Sequence, residues 1–161
     1  MNIVLYGNPI LRQKCDNINI SKKGIEDLSK NMVEQMYKGD GVGLAGPQVG
    51  LKKNIFVVES GKGPLSLVNP EIIYRSKEKN KKKEGCLSLP GVEVKVKRSK
   101  EIKIKAYLVE RGKEVEIKAE GLLARIIQHE FDHLQGTLII DYLPFWKKKQ
   151  AIKKLEKRVR E

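Results

Sequence analysis

Both histidines of the chain fall in one short stretch, QHEFDHLQG (128–136), four positions apart. On a helix that spacing puts His129 and His133 one turn apart on one face, with their rings close enough to hold a single ion. Glu130 lies about 100° around the helix from His129, at the edge of the same face. From there its carboxylate could handle a proton beside the ion without serving as a ligand. Two imidazoles do not complete a catalytic metal centre, which usually takes three protein ligands and keeps one position open. With no histidine left, the third ligand has to be a cysteine, an aspartate or a glutamate. EGCLSLPG (84–91) offers Cys86, preceded by a glycine that permits close backbone approach. A thiolate is the best partner for a first-row ion already held by two imidazoles, so the inferred set is Cys86, His129 and His133.

The elements that must bring these residues together are legible in outline. Ile25, Leu28, Met32, Val33 and Met36 recur at helical spacing in 21–41, with Ser21 as the expected N-cap and Gly39 as the stop. GVGLAGPQVG (41–50) is too rich in glycine for a regular element. Strands are expected at 54–60, 65–74, 92–98, 101–110 and 113–119, several alternating apolar with charged residues as half-exposed antiparallel strands do. Arg111 and Gly112 read as a turn between the last two. The stretch 120–136 reads as a helix whose apolar positions leave little solvent-facing surface, which makes it central. From Pro144 a further amphipathic helix is expected to pack by Ile152, Leu155 and Val159. The expected fold is α+β: antiparallel strands around a central helix that carries the histidines, with an amphipathic helix at the C-terminal end.

A chain of 161 residues fits one domain spanning 1–161, the basic helix 144–161 included. The opening MNIVLYGNPILRQKCDN has no secretory pattern and no stretch approaches membrane-spanning length. The expectation is therefore a cytoplasmic protein with free thiols and no membrane partner, Cys15 being a small buried residue. The formal charge of +13 is unevenly spread. The tail 147–161 holds eight Lys or Arg against two Glu, a net of +6, and KEKNKKK (77–83) holds five Lys against one Glu, a net of +4. The tail suits an RNA or ribosomal partner, whereas the second block reads as solvated lysines.

Taken together and in order, GVGLAGPQVG, EGCLSLPG and QHEFDHLQG resemble the three signature motifs of the peptide deformylases. The resemblance covers essentially the whole chain. Its one departure is Gly46, where the family usually has alanine, and a smaller residue there implies a looser loop. The resemblance implies removal of the N-terminal formyl group from the formyl-methionine of newly made polypeptides, with release of formate. It implies ferrous iron as the native ion, with zinc, nickel or cobalt as substitutes; the donor set by itself allows zinc or iron. Glu130 becomes the general base. The side-chain amide of Gln48 and the backbone N–H of Leu87 become donors to the developing oxyanion. Gly43 and Gly85 flank an extended substrate peptide, and Val42, Leu122 and Ile126 form the methionine pocket above the ring of His129. Behind the ligands, Arg98 is expected to pair with Glu84 and Asp132 and so tie the cysteine loop to the histidine helix. The basic C-terminal helix is expected to dock on the ribosome near the exit tunnel, a role known for some members.

Two rival readings differ in class. An H-E-x-x-H endopeptidase commonly takes its third ligand downstream of the helix, whereas Cys86 lies upstream. A non-catalytic RNA- or ribosome-binding protein with a closed structural site would need a fourth protein ligand, and only folding could bring Cys15 near enough to be one.

Overall fold

The computed structural model describes residues 1–161. In chain order the elements are α1 (Ile25–Lys38), β1 (Gly43–Ala45), β2 (Ile55–Glu59), β3 (Pro64–Arg75), β4 (Lys79–Gly85), β5 (Glu93–Ser99), β6 (Glu101–Leu108), β7 (Lys113–Glu120), α2 (Gly121–Leu134) and α3 (Phe145–Arg160). The fold is α+β. Five strands form an antiparallel sheet in the order β1-β2-β3-β6-β7, and β4 pairs with β5 in a separate two-stranded ribbon.

The apolar run IFVVE of β2 shows why the sheet has a layer on each face. Phe56 and Val58 join Ala45, Leu67, Ile102, Ile104, Ile126 and Ile127 in a core between the sheet and α2. Ile55 and Val57 point the other way and pack with Ile25, Met32, Met36 and Leu44 against α1. A strand buried on both faces reads as continuously apolar for this reason. A third cluster, with Leu89, Val92, Val94, Val96, Ile140 and Leu155, joins the ribbon and the cysteine loop to α3. The strand at 65–74 is interrupted: Asn69 has φ 51° and the pairing with β6 shifts register between Val68 and Glu71. Proline at 70 cannot donate to the ladder, and the bulge accommodates it.

Several expectations are corrected by the structure. Ser21 does not cap α1; the helix starts at Ile25 behind Gly24, with no side-chain cap, although Gly39 does end it. The glycine-rich stretch 41–50 contains a short strand, β1, followed by a 3₁₀ turn at Gly46–Val49. Gly46 is not loose. It is buried, Leu51 N–H donates to its carbonyl at 3.0 Å, and a Cβ there would stand 2.6 Å from Lys53 O. The lysine-rich 79–85 is strand β4, which no apolar alternation announces. Of the expected packing face of α3, Leu155 is fully buried and Ile152 partly, but Val159 is 41% exposed. Arg111 and Gly112 do make the β6–β7 turn, with Gly112 at φ 62°.

Candidate active site

Helix α2 buries Arg125, Gln128, His129, Glu130 and His133 along with its apolar residues. Five buried polar side chains on one short helix would be ruinous unless each found a partner. Most do. Gln128 donates to Ser99 O and Ala124 O, both at 2.9 Å. Arg125 donates through Nη1 to Glu84 Oε2 at 2.5 Å and Val96 O at 2.8 Å, and through Nη2 to Asn80. The exceptions are the chemical part of the helix: Glu130 Oε2 and His133 Nδ1 are buried with no hydrogen-bond partner.

The structure brings Cys86, His129 and His133 together, with one donor atom of each within 4.8 Å of the others. Cys86 Sγ lies 3.4 Å from His133 Nε2, and the two rings meet edge-on with centroids 5.1 Å apart. Cys15 does not join them; it is buried in the core beside the C-terminal end of α2, its N–H donating to Leu134 O at 2.9 Å. The donor set fits a divalent first-row ion: one soft sulfur, two imidazoles, and no fourth side chain to close the site. The surroundings fit as well. Glu84 Oε1 lies 2.9 Å from His129 Nδ1, and since an ionised carboxylate only accepts, the proton sits on Nδ1 and Nε2 is left for the ion.

Glu84 is the hub behind the ligands. Arg98 donates to it through Nε at 3.0 Å and Nη2 at 2.8 Å, and reaches Asp132 through Nη1 at 2.5 Å. The expected triad of Glu84, Arg98 and Asp132 is therefore present, with Glu84 and Arg98 buried and Asp132 partly so. Burial alone would raise the Glu84 carboxyl, but the hydrogen bonds from His129 and Arg98 outweigh it and hold it at about 2. Two members of the network were not foreseen. Arg125 pairs with Glu84 from the far side, and Tyr142 donates to Asp132 at 2.6 Å while accepting from Arg98 at 3.2 Å. A sequence signal existed for the first: Arg125 is a lone charge in the apolar run GLLARIIQ, one turn before His129. None existed for Tyr142.

Charge in the pocket follows from this arrangement. Burial pushes Glu130 up to about 7, with the negative charges of Glu84 and Asp132 adding to it and His129 and Arg98 opposing. Burial opposes a charge on His129, but Cys86 and Glu84 overcome it and lift that histidine to about 10 in the metal-free chain. Burial, reinforced by the positive His129 and Arg98, drives His133 well below the ordinary value.

In front of the ligands lies a cleft of about 390 Å³. Val42, Gly43 and Gln48 line one wall, Glu84, Gly85, Cys86 and Leu87 the other, and Leu122, Ile126, His129 and Glu130 come from α2. Val42 and Leu122 are not core: they are 53% and 70% exposed, at the rim, while Ile126 is buried beneath. Gly43 packs on Glu130 so tightly that a Cβ would stand 2.5 Å from Oε1. A Cβ at Gly85 would meet nothing within 4 Å; the space beside it is the cleft itself. Gln48 holds its loop by accepting from Ala45 N–H at 2.9 Å, and its Nε2 points to Cys86 Sγ at 3.4 Å and Ser88 Oγ at 3.3 Å. The Leu87 N–H donates to no group of the chain.

The sequence model of the family described as Polypeptide deformylase matches residues 1–149. The chain belongs to the peptide deformylase family. It is 46% identical over 159 residues to the peptide deformylase of Pseudothermotoga lettingae, covering 99% of this chain and 92% of the relative. It is 51% identical over 140 residues to that of Clostridium botulinum, covering 87% and 94%. The crystal structure of the peptide deformylase from Ehrlichia chaffeensis superposes with a TM-score of 0.92 at 36% identity, covering 99% of this chain and 97% of that one. The same enzyme in complex with actinonin gives a TM-score of 0.93 at 36% identity, covering 100% and 98%. The chain is thus a hydrolase of a metalloenzyme family, and no helix in it is long and apolar enough to cross a membrane.

Proposed function

We propose that residues 1–161 act as one catalytic unit that removes the N-terminal formyl group from newly made polypeptides beginning with formyl-methionine and releases formate. The carrying observation is the junction of two features: three donor atoms within 4.8 Å, and beside them a buried carboxylate, Glu130, with no hydrogen-bond partner. A structural site would not keep an unpartnered carboxylate next to its ligands, because burying one is costly.

Cys86, His129 and His133 would hold one divalent ion, ferrous iron natively with zinc, nickel or cobalt as substitutes, and that ion would polarise the formyl carbonyl and lower the pKa of water. The rest is done by the chain. Glu130 accepts the proton of the attacking water and passes it to the departing amine nitrogen, a task worth about 10²–10⁴-fold in rate. Its raised pKa of about 7 suits both halves of that exchange. Leu87 N–H, free of any internal acceptor, and Gln48 Nε2, engaged only in long contacts, donate to the oxygen that gains charge. Losing one such donor costs about 2.7–4 kcal/mol of transition-state stabilisation. The open flank of Gly85 and the edge of β1 at Gly43 accept the peptide backbone. Val42, Leu122 and Ile126 offer the methionine side chain an apolar seat.

Formate release from formyl-Met-Ala-Ser by iron-loaded protein tests the reading, with Glu130→Ala as control. Release that persists in the variant, or is missing from metal-loaded wild type, overturns it.

We further propose a cytoplasmic protein that meets its substrate at the ribosome through α3. Lys149, Lys153 and Lys157 are exposed at i, i+4 and i+8, while Leu155 anchors the helix from its opposite side. Changing the three lysines to glutamine should weaken ribosome co-sedimentation in a salt-dependent way and spare formate release. Equal sedimentation of variant and wild type removes α3 from that role.

A further inference from the structure

Five lysines share the outer face of the β4–β5 ribbon. Side chains alternate along β4, so Asn80 and Glu84 turn toward the buried network while Lys79, Lys81 and Lys83 turn away. The register then sets Lys81 opposite Lys97 and Lys83 opposite Lys95. All five are exposed and none takes part in an ion pair, whereas the ion pairs formed include Lys100 with Glu78 and Lys118 with Glu101. Like charges directly opposite destabilise a strand pair. The main sheet holds one such pair, Lys103 opposite Lys118, but relieves it: Lys118 reaches Glu101 and Glu120, and Lys105 reaches Glu114, whereas no lysine of the ribbon face has an acid within ion-pair distance. On the ribbon face the one carboxylate is Glu93, at the end, opposite Gly85.

The face is continuous with the cleft. Lys83 is part of its wall, three residues from Cys86. The edge of β4 away from β5 pairs with no strand. A peptide whose formyl end sits at Cys86, His129 and His133, and which pairs with that edge, passes Gly85 and then Lys83, about 7 Å further along. Its third or fourth residue, whichever turns to the lysine face, is the one that reaches the Lys83–Lys95 pair. On the facing wall, Asp40 is the only acidic side chain before the catalytic groups.

We propose that this lysine face, entered through Lys83, selects formylated peptides that carry aspartate or glutamate at their third or fourth residue. The inference rests on the hydrolase reading above and adds a specificity that a backbone-reading cleft lacks.

The test uses the full metal-loaded chain and three C-terminally amidated peptides: formyl-Met-Ala-Asp-Asp, formyl-Met-Ala-Ser-Ser and formyl-Met-Ala-Lys-Lys. At about 20 mM salt kcat/KM should fall in that order, with about a tenfold span carried by KM, and the span should collapse at about 500 mM salt. Lys83→Glu should abolish or invert the order, and Lys113→Gln, on the distant β6–β7 turn, should keep it. Calorimetric binding of the product peptides Met-Ala-Asp-Asp-amide and Met-Ala-Lys-Lys-amide should rank the same way, independent of turnover. Equal kcat/KM for the three peptides, or an order unchanged in Lys83→Glu, overturns the proposal and leaves the hydrolase reading standing. Release from none of them overturns that reading, and this one with it.

Discussion

Alanine at position 43 probes how the chain holds its proton carrier. A Cβ there would stand 2.5 Å from Glu130 Oε1 and 2.8 Å from both Cδ and Cγ. Because Cγ is crowded along with the tip, turning the carboxylate does not relieve the clash; the side chain has to leave its rotamer. It has little room, being 4% exposed with Oε1 4.0 Å from His129 Nε2. Overpacking of this kind costs about 1–3 kcal/mol. A carboxylate moved away from the reacting proton forfeits most of a contribution of about 10²–10⁴-fold. Gly43→Ala should therefore lower kcat for formate release by about 100-fold or more, with metal content per chain unchanged since no ligand is touched. The decisive measurement is the cycle with Glu130→Gln. The double variant should be no slower than Glu130→Gln alone, because both changes remove one function. If the two losses multiply, or if Gly43→Ala raises KM alone, the bare backbone at 43 serves the peptide and the reasoning about Glu130 is wrong.

Two further perturbations test the scaffold. Arg98→Ala strips a guanidinium from Glu84 and Asp132 and should weaken metal retention about 10–100-fold in a chelator titration; unchanged affinity would show that Arg125 alone orients Glu84. Asp141 accepts from Arg12 at 2.6 Å and Lys148 at 2.8 Å, and although burial opposes it these bonds hold its carboxyl at about 2, against an ordinary 3.8. A depressed folded pKa stabilises the fold above the unfolded pKa, and that stability is lost as pH falls from about 4 toward 2. Screening at this partly exposed pair reduces it to about 1 kcal/mol. Denaturant unfolding should show Asp141→Asn less stable than wild type at pH 6 and level with it near pH 2, and a gap that persists at pH 2 would assign the effect to packing.

The helices and the ligand set were legible in the sequence because each rests on a short-range rule: apolar spacing for α1 and α2, imidazole spacing for His129 and His133. In the main sheet β6 and β7 were legible because their faces differ in polarity and β2 because it is apolar throughout, whereas β1, inside the glycine-rich 41–50, was not. Nor was β4, since its outer face is lysine and its inner face Asn80, Lys82 and Glu84, so no alternation of apolar with polar residues marks it. Tyr142 was invisible for a different reason. It joins Arg98 and Asp132 only because the 3₁₀ turn at Ile139–Tyr142 folds back after α2, and no local pattern encodes that return. Gly46 shows the limit of reasoning from residue size, because its freedom is taken up by the carbonyls of Leu51 and Lys53.

The buried charges also say what kind of ion the pocket accepts. Arg98 and Arg125 are matched by Glu84 and Asp132, so the layer behind the ligands is balanced. In front of it remain Glu130 and Cys86, the latter a thiolate whenever it ligates. Neither group is paired with a lysine or arginine, so two negative charges at the floor of the cleft are neutralised by a divalent ion. In the metal-free chain that role falls in part to a proton on His129, which its neighbours hold to about 10 against the pull of burial. Ion uptake has to expel this proton, because a ligating imidazole is neutral. Titrating cobalt into metal-free protein in weak buffer at pH 8 should release acid on the order of one proton per ion or more. Binding with no acid released would mean that His129 is already neutral, and that the balance of charge around Cys86 and Glu130 is struck by some other group.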